Sequence, residues 1–299
     1  MSKKLFALLA VMLMMCSAAL ADGITVTDMH DREITLDQPA TRIVALTPSD
    51  CEILCAIGCE DALVGRGKYC DYPESISALP VVQSGAETNI EEILALDPQV
   101  VLMSDMSQTE EQAKLLEQNG VKVVISDAND IEGVYTAIRM IGALMAKDDE
   151  AEALIADMQA PFDEIAAKSD KSDKTIYFEV SPLQWGLWTA GSDTFMDELA
   201  TMCGVTNAFA DISGWQSISE EQVIERNPDY IVSIAGMGDT AIEEIMGRDG
   251  WGDIGAVKNG RVYNADSNAI SRPGPRLKDA AIELYHFLND DEAEEAPAA

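Results

Sequence analysis

The sequence predicts an α/β protein with two lobes, each built on a parallel sheet, that are joined by one long helix. A helix–turn–strand segment occurs twice, as NIEEILALDPQVV from Asn89 and as SEEQVIERNPDYIV from Ser219, with equivalent residues 130 positions apart. Apolar strands alternate with helices before and after the middle of the chain, which is typical of parallel sheets covered on both faces. Between these parts, residues 148–169 have helical apolar spacing and span about 33 Å, roughly the width of a domain.

The first 21 residues are typical of a secretory signal peptide. Lys3 and Lys4 precede an apolar run, and the small residues SAALA end it, which favours cleavage after Ala21. Cys16 leaves a second interpretation open, a lipid-anchored cysteine, although large residues stand before it where such a signal prefers small ones. We therefore expect an exported protein, in the periplasm or on the outer face of the cell membrane.

Residues 22–147 form the predicted N-terminal lobe. Two short alternating runs, GITVTDMHD and REITLDQP, predict a hairpin. RIVAL predicts a buried strand, PSDCEILCAIG a helix that ends at Gly58, and ALVGRG the next strand. The helices NIEEILAL and EEQAKLLEQNG alternate with the strands DPQVVLMS and VKVVIS, and IEGVYTAIRMIGALMA predicts one further helix.

Residues 148–173 are the predicted inter-lobe helix, which Pro161 should kink. The alternation restarts in the predicted C-terminal lobe, residues 174–288. There TIYFEV, PDYIVSIAG and RVYNAD predict strands, while FMDELATMCG, SEEQVIERN, DTAIEEIMG and PRLKDAAIELYHFL predict helices. Residues 289–299 are acidic and rich in alanine and proline, so they are predicted to be a disordered tail.

The composition excludes several classes of function. A net charge of −33 argues against nucleic acid and anionic lipid as partners. Two histidines are too few for a histidine-built zinc or manganese site, and no nucleophile-elbow motif with a histidine base is present. We therefore expect a monomeric binding protein with no enzymatic activity and no resident metal.

The loops that follow the predicted strands hold most of the tryptophans and several of the few cationic residues. In open parallel sheets, ligands bind outside the carboxyl ends of the strands. Aromatic and cationic side chains that face each other across a cleft suit a large, flat or anionic ligand, with Trp215 packing on it. The candidate ligand-binding residues are Ser49, Arg66, Lys68, Tyr69, Ser84, Trp185, Trp188, Trp215 and Arg272.

The repeated segment contains one glutamate in each lobe that helix capping does not explain. Capping boxes are predicted for Asn89 with Glu92 and for Ser219 with Gln222. Glu91 and Glu221 occupy the N2 positions beside them. Either they favour the helix dipole, which contributes about 0.3–1 kcal/mol, or they face outward for a partner with matching arginines.

The cysteines allow two interpretations. Cys51, Cys55 and Cys59 lie four residues apart on one helical stripe, either as small core residues or as ligands in an exported metal or redox protein. Neighbouring parallel strands would bring Cys51 and Cys70 to the same sheet edge, so a Cys51–Cys70 disulfide is predicted, with Cys59–Cys70 left open. Cys203 is expected to be reduced and buried, as are the unpaired cysteines of the stripe.

The chain resembles the periplasmic iron-chelate and cobalamin binding proteins of ABC importers. The matching phrases span nearly all of the mature chain: RIVALTPSDCEILCAIG, LVGRGKYCDYP, NIEEILALDPQVVLM, GWQSISEEQVIERNPDYIV, AVKNGRVY and RPGPRL. The resemblance implies two Rossmann-like lobes bridged by a single backbone helix, with a metal chelate bound between them. It also implies delivery to an ABC permease dimer with its ATPase subunits, and docking of Glu91 and Glu221 on permease arginines.

Within this family the resemblance favours a ferric siderophore as the ligand, with cobalamin or haem as alternatives and no intrinsic cofactor. Cobalamin-binding relatives pair a cysteine near the position of Cys203 with one in the final helix, and AAIELYHFL contains none. RPGPRL looks more like the ferric-siderophore members. A single long helix is also a stiff hinge, so a largely preformed cleft and a small closure on ligand binding are expected.

Overall fold

The described part of the molecule, residues 23–104 and 108–294 of a computed structural model, contains two separate parallel sheets, as the sequence predicts. The predicted signal peptide and the last five residues lie outside the described residues. The strands are β1 (Ile24–Thr27), β2 (Glu33–Leu36), β3 (Ile43–Ala45), β4 (Leu63–Gly67), β5 (Val81–Val82), β6 (Val100–Met103), β7 (Lys122–Ile125), β8 (Thr175–Glu179), β9 (Trp188–Ala190), β10 (Thr206–Asn207), β11 (Trp215–Ser217), β12 (Tyr230–Ser233) and β13 (Val262–Asn264).

The α-helices of the same residues fill the connections. They are α1 (Pro48–Ala56), α2 (Ile90–Ala95), α3 (Glu110–Gln118), α4 (Ile131–Leu144), α5 (Asp148–Lys168), α6 (Phe195–Met202), α7 (Glu220–Arg226), α8 (Ala241–Met246), α9 (Gly255–Lys258), α10 (Ser267–Ile270) and α11 (Leu277–Glu294). None of them is long and apolar enough to cross a membrane. We refer to residues 23–147 as the first lobe and to residues 174–288 as the second lobe, boundaries that follow the sequence prediction and remain a proposal.

The first lobe is built on a five-stranded sheet in the order β5-β4-β3-β6-β7, with every strand pair parallel. The predicted hairpin forms as the antiparallel pair β1–β2. Adjacent residues of β3 enter different apolar clusters, since Ile43 packs in one and Val44 in the other. The sheet is therefore covered on both faces, which explains why its central strands are continuously apolar.

The second lobe has a four-stranded parallel sheet in the order β10-β8-β12-β13. Its β8 residues Tyr177 and Phe178 likewise enter clusters on opposite faces. A small antiparallel ribbon, β9 with β11, stands apart from the main sheet. The sequence analysis did not predict this ribbon, because strands of three residues are too short to show an alternating pattern.

Helix α5 connects the lobes and packs against α4 on one side and α11 on the other. Its buried residues are Ala151, Ile155, Met158, Phe162 and Ile165. They belong to one apolar cluster that also contains Ile43 of the first lobe and Phe178 of the second. Pro161 lies inside α5 without ending it. A continuous apolar core along a single helix favours a stiff connection between the lobes.

Helix α11 extends to Glu294 and so includes residues 289–294 of the predicted tail. This helix is anchored by Leu284 and Leu288, which are buried in the core. The rest of the predicted tail, residues 295–299, lies outside the described residues.

Candidate ligand-binding site

A cleft with a volume of about 610 Å³ lies between the two lobes. Its walls are loops at the carboxyl ends of strands from both sheets, as is usual for ligand sites in open parallel sheets. The residues that line it are Thr47, Pro48, Ser49, Ser104, Ser126, Asp127, Ala128, Asn129, Val180, Trp188, Phe195, Trp215, Ser271, Arg272 and Pro273. Four of the predicted ligand residues are thus brought together, namely Ser49, Trp188, Trp215 and Arg272.

The second lobe contributes an aromatic wall to the cleft. In the β9–β11 ribbon, Trp215 lies opposite Ala190, which is two residues from Trp188, so both indoles leave the same face of the ribbon. The Phe195 ring packs against Trp215 with centroids 5.6 Å apart and the planes tilted by 59°. Such a wall offers a broad apolar surface on which a flat ring can lie.

The first lobe contributes a polar wall whose carboxylate is held by the protein itself. Ser104 donates its hydroxyl proton to Oδ1 of Asp127 at 2.6 Å. His30 Nε2 lies 3.0 Å from Oδ2 of the same side chain. The Asp127 carboxylate therefore has a fixed orientation where it borders the cleft.

Asp50 lies directly behind this polar wall and is fully buried. The Thr47 hydroxyl donates a hydrogen bond to its Oδ2, whereas Oδ1 has no hydrogen-bond partner among the described residues. Burial raises the pKa of Asp50 to about 7 together with the charge of Asp127, while the hydroxyls of Thr47 and Ser126 act in the opposite direction. Asp50 could not be recognised from the sequence, because nothing in PSDCEIL distinguishes it from an ordinary acid in the first turn of a helix.

Arg272 lines the cleft, but its charge is already balanced. Nη1 lies 2.7 Å from Oδ1 of Asp71 in the first lobe, and Nη2 donates to Asn268 at 2.8 Å. The hydrogen bond from Arg272 lowers the pKa of Asp71. Arg272 therefore connects the two lobes. The prediction that its charge faces an anionic ligand is corrected, because Asp71 already pairs with that charge.

The lobes also meet at the base of the cleft. The backbone N–H of Phe195 donates to the carbonyl of Asn129 at 2.8 Å, and the N–H of Ile131 donates to Glu198 at 2.7 Å. These bonds place the start of α6 against the loop after β7. Phe195 and the loop residues 126–129 were missed by the sequence analysis, although the rule for carboxyl ends of strands also covers the loop after VKVVIS.

Arg66 is not a cleft residue, contrary to the prediction. It is buried, and its guanidinium donates to three backbone carbonyls, those of Cys70 at 2.7 Å, Ser77 at 3.0 Å and Ile76 at 3.1 Å. These bonds hold the long loop between β4 and β5. The charge of Arg66 is therefore used to satisfy backbone acceptors of a loop and does not face a ligand.

The remaining predicted ligand residues, Lys68, Tyr69, Ser84 and Trp185, do not line the cleft either. Tyr69 is 64% exposed and Trp185 is 75% exposed. The ammonium of Lys68 lies 5.4 Å from the Tyr69 ring, and its backbone N–H donates to Ser84 at 3.3 Å. These side chains belong to surface loops. Their places could not be predicted from the sequence, because a position after a strand does not determine towards which side a long loop turns.

All five cysteines of the described residues are free thiols, so the predicted Cys51–Cys70 disulfide is not formed in the structure. The two sulfurs nevertheless lie near one acceptor, the carbonyl of Ala45, at 3.9 Å and 3.7 Å. A hydrogen bond with Cys70 and burial raise the pKa of the Cys51 thiol. Cys55 is half-buried rather than buried, and the described residues contain no cluster able to hold a metal ion.

Glu91 and Glu221 are exposed at the N2 positions of α2 and α7. The predicted capping box forms at Ser219, where both reciprocal hydrogen bonds with Gln222 are present. At Asn89 only half of it forms, because the Glu92 carboxylate accepts from the backbone of Gln83 instead.

Comparisons with known proteins agree with this architecture. The family described as "Periplasmic binding protein" matches residues 43–269. An uncharacterized ABC transporter substrate-binding lipoprotein, YvrC of Bacillus subtilis, is 34% identical over 275 residues, covering 90% of this chain and 86% of that protein. The vitamin B12-binding protein of Vibrio campbellii is 29% identical over 256 residues, covering 83% of this chain and 90% of that protein. The solved structure of a possible iron-binding (periplasmic solute-binding) protein from Staphylococcus epidermidis has a TM-score of 0.71 and 32% identity, and covers 83% of this chain and 98% of that one.

Proposed function

The chain belongs to the periplasmic binding protein family, among the substrate-binding components of ABC importers for iron chelates, cobalamin and haem, and we propose that its ligand is a corrinoid such as cobalamin. A protein of this family binds its substrate outside the cytoplasm and does not catalyse a reaction. The proposal therefore concerns which metal chelate enters the cleft and how the loaded protein meets its permease.

The observation that carries the proposal is the set of side chains in the cleft. Among the described residues that line it there is no histidine, tyrosine, cysteine or methionine. These are the side chains that hold haem iron in proteins. The cleft therefore suits a chelate whose metal needs no ligand from the protein, such as a corrinoid or a ferric siderophore, better than it suits haem.

The charges of the cleft favour a neutral chelate. The only cationic side chain among the described lining residues is Arg272, and Asp71 balances it. The carboxylate of Asp127 adds negative charge to the opposite wall. A ferric tricatecholate carries several negative charges that would lose hydration in such a cleft without gaining partners. A corrinoid with peripheral amides, or a neutral ferric trihydroxamate, avoids this cost.

The relatives support the same choice. The vitamin B12-binding protein of Vibrio campbellii and the cobalamin-binding protein of Halobacterium salinarum are 29% and 28% identical to this chain. The preference for a siderophore at the sequence level rested on the RPGPRL phrase and on the absence of a cysteine partner for Cys203. Cys203 follows α6, is buried and does not line the cleft, so a missing disulfide there changes stability rather than ligand contacts. The ferric siderophore remains the alternative, supported by the possible iron-binding protein of Staphylococcus epidermidis.

Calorimetric titration of the mature protein with four chelates tests the proposal. Cyanocobalamin should bind most tightly, a neutral ferric trihydroxamate more weakly, and an anionic ferric tricatecholate weakest of the three. Haemin serves as the control, because axial ligation by the protein would shift its Soret band. A shifted Soret band with tight binding, or tight binding of the tricatecholate alone, would contradict the proposed ligand class.

A further inference from the structure

The hydroxyl of Thr47 does not cap the helix that it precedes. Thr47 precedes α1 as its N-cap residue, where a threonine side chain ordinarily accepts a hydrogen bond from the first turn. Here the side chain makes no such cap bond. Its proton goes instead to the buried carboxylate of Asp50. The Thr47 oxygen is therefore not occupied by the helix, although Thr47 borders the cleft.

Other polar groups of the cleft also direct their protons into the protein. Ser104 donates to Asp127, and Ser271 donates to the carbonyl of Ser267. The amide of Asn129 donates to the carbonyl of Asp127 at 3.4 Å. Internal acceptors thus take the hydroxyl protons of Ser104 and Ser271, whereas the Asn129 amide carries a second N–H.

We propose that Asp50 fixes the Thr47 hydroxyl as a hydrogen-bond acceptor towards the cleft, and that this selects chelates which present N–H donors to the first lobe. A carboxylate has only acceptors, so an ionised Asp50 always takes the Thr47 proton. A ligand that places an amide N–H near Thr47 finds an acceptor there. A ligand that places a carboxylate there is repelled by the lone pairs of the Thr47 oxygen and by the Asp127 charge, so it binds more weakly. This inference rests on the proposed function, because it concerns the ligand of the same cleft.

The protonation state of Asp50 gives the inference a measurable signature. A protonated carboxyl can donate to Thr47, which releases the Thr47 proton towards the cleft and reverses the polarity of the wall. The titratable groups that face Asp50 are Asp127, whose own partner is His30, and Cys51, whose partner is Cys70. Since burial raises the pKa of Asp50 to about 7, the reversal falls within an accessible pH range.

The test compares two corrinoids that share one ring, cobyric acid with peripheral amides and cobyrinic acid with carboxylates at those positions, at pH 5.5 and pH 8.5. The variant is Asp50→Asn, whose amide can donate to Thr47 at every pH. The matched control is Asp61→Asn, the same replacement at an exposed acid of the same lobe. Cyanocobalamin and a neutral ferric trihydroxamate are titrated in parallel.

The wild type and Asp61→Asn should bind cobyric acid more tightly at pH 8.5 than at pH 5.5, by about fivefold, the effect of one neutral hydrogen bond. Asp50→Asn should show one affinity at both pH values and a smaller preference for cobyric over cobyrinic acid. Thr47→Val should remove the same pH dependence, and it replaces Asp50→Asn as the test if that variant does not fold. Adding Thr47→Val to Asp50→Asn should cause no further change in the pH dependence of binding.

The outcomes separate the inference from the proposed function. If the wild type binds none of the corrinoids but binds the trihydroxamate, the corrinoid assignment fails, and the pH comparison with the trihydroxamate decides the inference. If the wild type binds a chelate and Asp50→Asn keeps the same pH profile, the inference alone is overturned. Failure of the wild type to bind any of these chelates overturns both.

Discussion

Arg276 of the second lobe and Glu52 of the first lobe form a bidentate ion pair, with Nε 2.9 Å from Oε2 and Nη2 2.7 Å from Oε1. Glu52 is only 3% exposed, and Arg272 adds a longer contact with the same carboxylate at 3.5 Å. A buried carboxylate that is paired with arginines of the other lobe fixes how the lobes sit beside the cleft. Together with α5, this pair makes a largely preformed cleft the physical expectation.

Glu52→Gln should therefore destabilise the protein and loosen the lobes. Loss of one partner of a buried ion pair leaves the other charge uncompensated, and we expect the free energy of unfolding to fall by about 3 kcal/mol or more. Urea unfolding measures this loss, and small-angle scattering should show a larger radius of gyration for the ligand-free variant. Glu164→Gln is the control, because its pair with Lys168 is exposed to solvent and screened, so its loss should change stability little.

For the wild type, the same scattering measurement should give nearly equal radii of gyration with and without ligand. A large difference, or a Glu52→Gln variant that unfolds like the wild type, would show that the pair does not set the position of the lobes.

Trp215→Ala should weaken ligand binding, because Trp215 forms the aromatic wall with Phe195. Removing a large ring from such a wall should reduce affinity by about tenfold or more, since burial of an aromatic side chain contributes well over 1 kcal/mol. Calorimetric titration with cyanocobalamin measures the change.

Trp251 cannot serve as the control for this prediction, because it is fully buried, with its indole N–H donating to Glu220. Trp185 is the suitable control, because it is highly exposed and does not line the cleft. Equal losses for Trp215→Ala and Trp185→Ala would mean that the bound ligand extends far beyond the described cleft.

The sequence predicted the parts of the fold that local patterns determine. RIVAL and DPQVVLMS become central strands because continuous apolar residues suit a sheet covered on both faces, and the Ser219 capping box is complete within four residues. The fate of Arg66 could not be predicted, because the carbonyls that bind it lie on a loop whose course depends on the whole lobe. Phe195 likewise joins the cleft only through its contact with Asn129 of the other lobe.

Asp50→Asn should also change how stability depends on pH. The pKa of Asp50 is raised in the folded protein to about 7, from an ordinary value of 3.8. Between these values the folded state binds more protons than the unfolded state, so stability contributed at low pH is lost as the pH rises from about 4 to about 7. The variant lacks this loss and should be more stable than the wild type at pH 8 by about 1–4 kcal/mol, with little difference at pH 4.

Urea unfolding at pH 4, 6 and 8 checks this expectation, with Asp61→Asn as the control. Parallel pH profiles for the wild type and Asp50→Asn would show that the Asp50 carboxyl is not held in an unfavourable charged state above pH 7.

The Cys51–Cys70 disulfide remains a prediction for the exported protein. The structure places the Cys51 and Cys70 sulfurs beside one carbonyl, whereas the Cys59 sulfur lies near the carbonyl of Ile57. An oxidising compartment should therefore link Cys51 with Cys70 and leave Cys59 reduced. Peptide mapping of unreduced protein after alkylation decides between the two pairings, and a free Cys70 would contradict both.

The double variant Glu91→Gln, Glu221→Gln should keep ligand affinity and fold but lose most uptake in a reconstituted importer. Both carboxylates are exposed, one on each lobe, at the same position of equivalent helices. If they only favour the helix dipoles, neutralising both should lower stability slightly and leave transport unchanged. If each pairs with a permease arginine, their loss slows association and weakens its dependence on salt.

Glu111→Gln provides the matched control for this prediction. Glu111 is also an exposed glutamate at the N2 position of a first-lobe helix, α3, so its replacement removes the same charge and the same interaction with a helix dipole. If each lobe engages one permease subunit through its glutamate, each single variant should retain more uptake than the double variant. Normal transport by the double variant, or an equal loss for Glu111→Gln, would show that Glu91 and Glu221 act only within their own helices.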